Sequence, residues 1–118
     1  IGTAKQTLEH TAPMWICVWV TACARHCAGT LAVKDARLSP LFGELARLPP
    51  MLIQVGSEEI LLSDSEQLAA RAKSAGIAVK LHCYEGMWHD FQIHAGALAQ
   101  SEQALTEIGE FLQPYWKS

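Results

Sequence analysis

The sequence has no hydrophobic run long enough to cross a bilayer and no excess of charge of one sign. Its longest apolar run, Met14–Val20, falls far short of the roughly 20 residues a spanning helix needs. Nine Lys and Arg stand against twelve Asp and Glu, a formal net charge of −3. That balance lacks the basic stripe of a nucleic-acid binder, and no like-charge block suggests a tail. Cysteine is scarce and unevenly placed: Cys17, Cys23 and Cys27 crowd together while Cys83 stands alone. This is not the even framework of a small secreted domain, so the thiols are read as reduced and the protein as cytoplasmic. The N-terminus shows no basic region, apolar core and cleavage site in series, hence no signal peptide. It opens Ile1-Gly2-Thr3 without an initiator methionine, as a segment of a longer protein would.

What is present is globular. Half of the 118 residues are apolar and 18% are charged, enough for one ordinary domain. Residues 3–28 are rich in Ala, Trp, Val and Cys and read as a helix from Pro13, apolar on nearly every side, with Gly29 as its stop. Residues 30–38 read as loop. Ser39-Pro40 opens a turn and Pro49-Pro50 punctuates again. The division expected is 1–38, a helical segment and loop, and 39–118, which carries the α/β pattern.

From Pro49 onward the pattern is α/β. Met51-Leu52-Ile53-Gln54-Val55 reads as a strand buried on both faces, ending in the polar loop Gly56-Ser57-Glu58-Glu59. Ser63 and Glu66 have the spacing of a capping box. The helix that follows places Leu68, Ala69, Ala72 and Ala75 on one face and ends at Gly76. Ile77 to Tyr84 alternates, with Ile77, Val79, Leu81 and Cys83 on one side. Glu85-Gly86-Met87-Trp88-His89 is the loop after it. Ser101 caps a last helix with Ala104, Leu105, Ile108, Phe111 and Leu112 as its apolar stripe. A strand–helix–strand unit of this length means parallel strands, so both loops leave the same sheet edge, where open α/β sheets bind ligands.

On that edge a histidine, His89, faces two carboxylates, Glu58 and Glu59. An acid and a histidine so placed make two-thirds of a nucleophilic triad: the imidazole takes a hydroxyl proton while the carboxylate fixes its tautomer. Read as residues alone, a loop histidine and solvated glutamates are the commoner reading, since loop histidines are frequent. Cys23, His26 and Cys27, at i, i+3, i+4, share a helix face and could hold zinc, but no fourth ligand is near in sequence and small buried thiols account for them. No metal is expected. Trp88 either lines a substrate pocket or closes the core under its loop. Trp15, Trp19 and Trp116 read as packing, and His82 as partly exposed.

Three segments together resemble the C-terminal part of the hormone-sensitive lipase family of bacterial esterases: Ser39 to Leu45, Leu48 to Ser65, and Tyr84 to Phe91. The resemblance implies an α/β-hydrolase, with this chain supplying the last parallel strands and flanking helices. It implies His89 as the family's catalytic histidine. The family pattern Asp-Pro-Leu-x-Asp falls on Glu59-Ile60-Leu61-Leu62-Ser63, which makes Glu59 the implied acid, with Glu58 second and Asp64 third. Glutamate serves in this fold as aspartate does. Neither the G-x-S-x-G elbow nor the His-Gly-Gly-Gly motif that the family needs occurs in the 118 residues.

The implied activity is carboxylic ester hydrolysis on short to medium acyl esters, without a cofactor, through a Ser-acid-His triad of which this chain carries the acid and the histidine. The implied partners are a small-molecule ester and a second copy through the sheet edge, with no nucleic acid and no membrane span. The alternatives are a non-catalytic α/β interaction module pairing through its open edge, and another α/β-hydrolase such as a prolyl-oligopeptidase-type peptidase.

Overall fold

A computed structural model describes residues 22–32 and 34–116. Pro13, Trp15, Cys17 and Trp19 therefore lie outside the described residues, as does most of the N-terminal helical segment. Residues 22–28 are helical and stop at Gly29, whose φ of +55° is the left-handed conformation expected of a terminating glycine. A short 3-10 turn, Pro40–Phe42, follows.

After it come one strand–helix–strand unit, a second 3-10 turn at Phe91–His94 and a closing helix. Strand β1 is Met51–Gly56, helix α1 is Leu62–Ser74, strand β2 is Val79–Tyr84 and helix α2 is Ala99–Trp116. The strands pair in parallel, with Met51 opposite Val79 and Gly56 opposite Tyr84. The sequence pattern therefore gave the architecture correctly. The core at the C-terminal end of the sheet is Tyr84, Met87, Phe91 and Ala104, with Leu98 packed against it.

Several local expectations are corrected. Helix α1 starts at Leu62 with Leu61 as N-cap and no side-chain cap. Ser63 therefore lies inside the first turn, and the S-x-x-E spacing is not used as a capping box. The C-terminus behaves as read: Gly76 takes φ +82°, while Gly76 N–H bonds Lys73 O and Ile77 N–H bonds Ala72 O, both at 3.0 Å. That pair of bonds satisfies the helix's last carbonyls. Strand β1 is half-buried from Met51 to Gln54 and fully buried only at Val55 and Gly56, because among the described residues it has one neighbouring strand. Cys23 and Cys27, read as small buried thiols, are both exposed, and so is Cys83; alternation fixes which way a strand side chain points, not whether something covers it.

The closing helix begins two residues before Ser101, so that hydroxyl is no cap. It is fully buried and donates to Phe91 O at 2.7 Å. The inward stripe is Ser101, Ala104 and Glu107, while Leu105 is exposed. Trp116, read as packing, is 78% exposed.

Candidate active site

Both loops leave the C-terminal end of the two-stranded sheet and are laced together by backbone bonds. Ser57 N–H and Met87 N–H both donate to Tyr84 O, at 3.0 and 3.3 Å, and Glu58 N–H donates to Met87 O at 2.9 Å. Gly86 N–H donates to Ser57 Oγ at 2.8 Å. The approach is close enough that a Cβ on Gly56 would run into the Met87 carbonyl. Glycine at the end of β1 is thus a packing requirement, not a conformational one.

This lacing brings Glu59 and His89 together. Their side chains meet with His89 Nδ1 3.3 Å from Glu59 Oε1. The other carboxylate oxygen, Oε2, accepts the Gly56 N–H at 3.0 Å. One oxygen is thereby pinned by the backbone and the other aimed at the ring. A carboxylate opposite Nδ1 favours the tautomer protonated at that nitrogen, in which Nε2 keeps its lone pair. Burial is graded along the pair: the Glu59 side chain is 8% exposed and that of His89 59%. The acid is sheltered and the imidazole faces outward, as a relay from protein to substrate requires.

Among the alternatives for the acid, Glu58 is exposed and its Oε1 accepts the Ser57 hydroxyl at 3.1 Å. Asp64 lies in the first turn of α1, where a carboxylate favours the helix dipole. Of the three, Glu59 is the one whose carboxylate lies against the His89 ring. Trp88 is partly exposed and meets the His94 ring edge-on, centroids 5.5 Å apart.

Two features escaped the sequence reading. Asp90 follows the histidine in a left-handed conformation, φ +58°, and its Oδ2 lies 3.5 Å from His89 Nε2. Aspartate tolerates that backbone better than most residues, but nothing in the spacing announced it. The second is a polar network around Glu107 behind the histidine loop. Its carboxylate receives Lys80 Nζ at 2.7 Å, Gln54 Nε2 and Tyr84 OH at 2.8 Å each, and lies 3.1 Å from His82 Nδ1. Burial would raise the Glu107 pKa, but the bonds from Lys80, Gln54, Tyr84 and His82 outweigh it and bring the carboxyl down to about 2. His82 is partly exposed as expected, yet it is engaged.

Among the described residues, which include Cys23, His26 and Cys27, no group of three or more His, Cys, Asp or Glu is gathered as a metal site. No helix of the described residues is long and apolar enough to cross a membrane. A cavity of about 520 Å³ lies among Ala24, Cys27, Ala28, Leu38, Ser39, Leu41 and the start of α1, and neither Glu59 nor His89 lines it.

Comparison with known proteins identifies the fold family. A family model described as alpha/beta hydrolase fold matches residues 2–93. An esterase of Acinetobacter venetianus is 47% identical over 77 residues, covering 65% of this chain and 25% of that protein. A hormone-sensitive lipase from a metagenome library superposes with a TM-score of 0.70 at 39% identity, over 74% of this chain and 30% of that one. The crystal structure of EstE5 soaked with p-nitrophenyl butyrate superposes with a TM-score of 0.85 at 31% identity, over 99% of this chain and 39% of that one. The chain thus spans between a quarter and two-fifths of the length of these relatives.

Proposed function

Given that the chain belongs to the α/β-hydrolase fold family, we propose that it supplies the acid and the histidine of a serine-dependent carboxylic ester hydrolase acting on short to medium acyl esters. In this reading His89 Nε2 takes the proton from a serine hydroxyl as the serine attacks the ester carbonyl, then returns it to the departing alcohol. Water repeats the sequence on the acyl-enzyme and releases the carboxylic acid. Glu59 holds Nδ1–H and stabilises the imidazolium formed midway. The serine and the oxyanion hole are supplied outside these 118 residues, since neither motif occurs in them. The protein works in the cytoplasm, its thiols reduced, needs no cofactor, and pairs with a second copy through the open sheet edge.

The observation that carries this reading is the contact of a sheltered Glu59 carboxylate with His89 Nδ1 at 3.3 Å, leaving the outward nitrogen for substrate. The test is turnover of p-nitrophenyl butyrate. The full-length protein containing this chain should hydrolyse it and lose that activity in His89→Ala, while the 118-residue chain alone should not turn it over. Turnover by the isolated chain that disappears in His89→Ala would overturn the assignment of the serine to a segment outside it.

A further inference from the structure

Glu107 stands well away from the acid and histidine in sequence, yet it holds the scaffold that presents them. Its carboxylate, 9% exposed as a side chain, ties together three elements: α2, which carries it, β1 through Gln54, and β2 through Lys80, His82 and Tyr84. Tyr84 is the last residue of β2 and the origin of the histidine loop. Its carbonyl takes the N–H groups of both Ser57 and Met87, one from each loop. Its ring stacks on His82, centroids 4.0 Å apart, and tilts against Phe91 at 4.9 Å.

The far end of the histidine loop is fastened to the same group of residues. Phe91 O accepts the buried Ser101 hydroxyl from α2, and Gln92 Nε2 donates to Gln54 Oε1 at 3.3 Å. Gln54 in turn donates to Glu107 and to Ala104 O. His89 is therefore suspended between two anchors, Tyr84 before it and Phe91-Gln92 after it, and Glu107 accepts bonds from both anchor systems. A carboxylate is suited to this, because its two oxygens offer about four acceptor sites for four donors; an amide would offer half of them and add unwanted donors.

We infer that Glu107 is a positioning residue, which sets the location of His89 by holding Tyr84 and Gln54 under the two ends of its loop. This rests on the proposed roles of Glu59 and His89. Misplacing a catalytic group by about 1 Å costs up to about a hundredfold in rate, and the loss falls on kcat because substrate binding itself is untouched.

The experiment compares steady-state kinetics and thermal stability of four variants of the full-length protein. Glu107→Gln lowers kcat by about ten- to a hundredfold and leaves KM within about twofold. Tyr84→Phe keeps the ring stack, removes only the hydroxyl bond, and lowers kcat in the same sense by less; it carries the test if Glu107→Gln does not fold. In the double variant Tyr84→Phe slows Glu107→Gln by less than it slows the parent, since the Tyr84–Glu107 bond is common to both. Ala72→Gly, buried in α1 and outside the network's bonds, lowers the melting temperature and leaves kcat unchanged.

The inference is overturned if Glu107→Gln and Tyr84→Phe lose stability but keep kcat, as Ala72→Gly does, or if their effects on kcat multiply. Glu59→Ala, measured alongside, separates this from the parent reading. Activity kept in Glu59→Ala overturns the proposed roles themselves, whereas activity lost there and kept in Glu107→Gln overturns only the anchor.

Discussion

Replacing Gly56 by alanine sets two effects of opposite sign against each other. Gly56 ends β1, is buried, and does not use the left-handed region, so its backbone accommodates alanine. On that ground alone the substitution would stabilise by about 0.4–1 kcal/mol through the unfolded chain. The contact argues the other way. The added methyl would meet the backbone carbonyl of Met87, which cannot swing aside as a side chain could, and which already accepts Glu58 N–H at 2.9 Å. Overpacking of this kind costs about 1–3 kcal/mol, and loss of the Glu58 bond about 1 kcal/mol more.

The net expectation is a loss of about 1–3 kcal/mol. Activity should also fall, because Met87 cannot shift without carrying His89. Gly109→Ala is the internal control: it lies within α2, and its Cβ would meet nothing within 4 Å, so it should stabilise by up to about 1 kcal/mol. Urea denaturation of both variants decides. A Gly56→Ala protein at least as stable as the parent would show that the two loops are not in the close contact described.

Two further predictions concern groups the sequence did not flag. Folding depresses the Glu107 carboxyl from 4.5 to about 2, so the folded state binds its proton less readily than the unfolded chain. Its contribution is fully present above pH 4.5 and is lost as pH falls towards 2; urea midpoints measured down that range should drop, and Glu107→Gln should flatten the drop. Asp90, at φ +58°, should tolerate glycine, whereas Asp90→Val should cost about 1–2 kcal/mol in thermal melts, since a branched residue is disfavoured there.

How much of this was legible beforehand divides along physical lines. The parallel unit was readable because a strand, a helix and a strand of these lengths admit few other arrangements, and that topology alone brought the Glu59 and His89 loops to one edge. Gly76 was readable because a left-handed helix end favours glycine strongly. The capping box failed because its spacing recurs inside helices as well as before them, and here α1 begins one residue before Ser63.

The Glu107 network was invisible for a different reason. A glutamate at a helix position, a lysine and a histidine on alternate residues of β2, and a glutamine inside an apolar strand have no spacing that pairs them. Only tertiary packing of α2 on that strand face makes them partners, and a hydropathy pattern that ranks Leu105 above Glu107 for burial puts the wrong residue inside. The family pattern ranked Glu59 ahead of Glu58, but the residues by themselves did not separate them, because neighbouring residues in a loop can point anywhere until the Gly56 N–H fixes one carboxylate.

That choice is the centre of the account, and one comparison tests it. The value of kcat/KM for p-nitrophenyl butyrate should be measured for the full-length protein carrying Glu59→Ala and, separately, Glu58→Ala. Glu59→Ala is expected to lower it by about three to four orders of magnitude, the loss typical of removing the carboxylate that orients a triad histidine, with Glu58→Ala close to the parent. Full activity in Glu59→Ala, or a steep loss in Glu58→Ala alone, would contradict it.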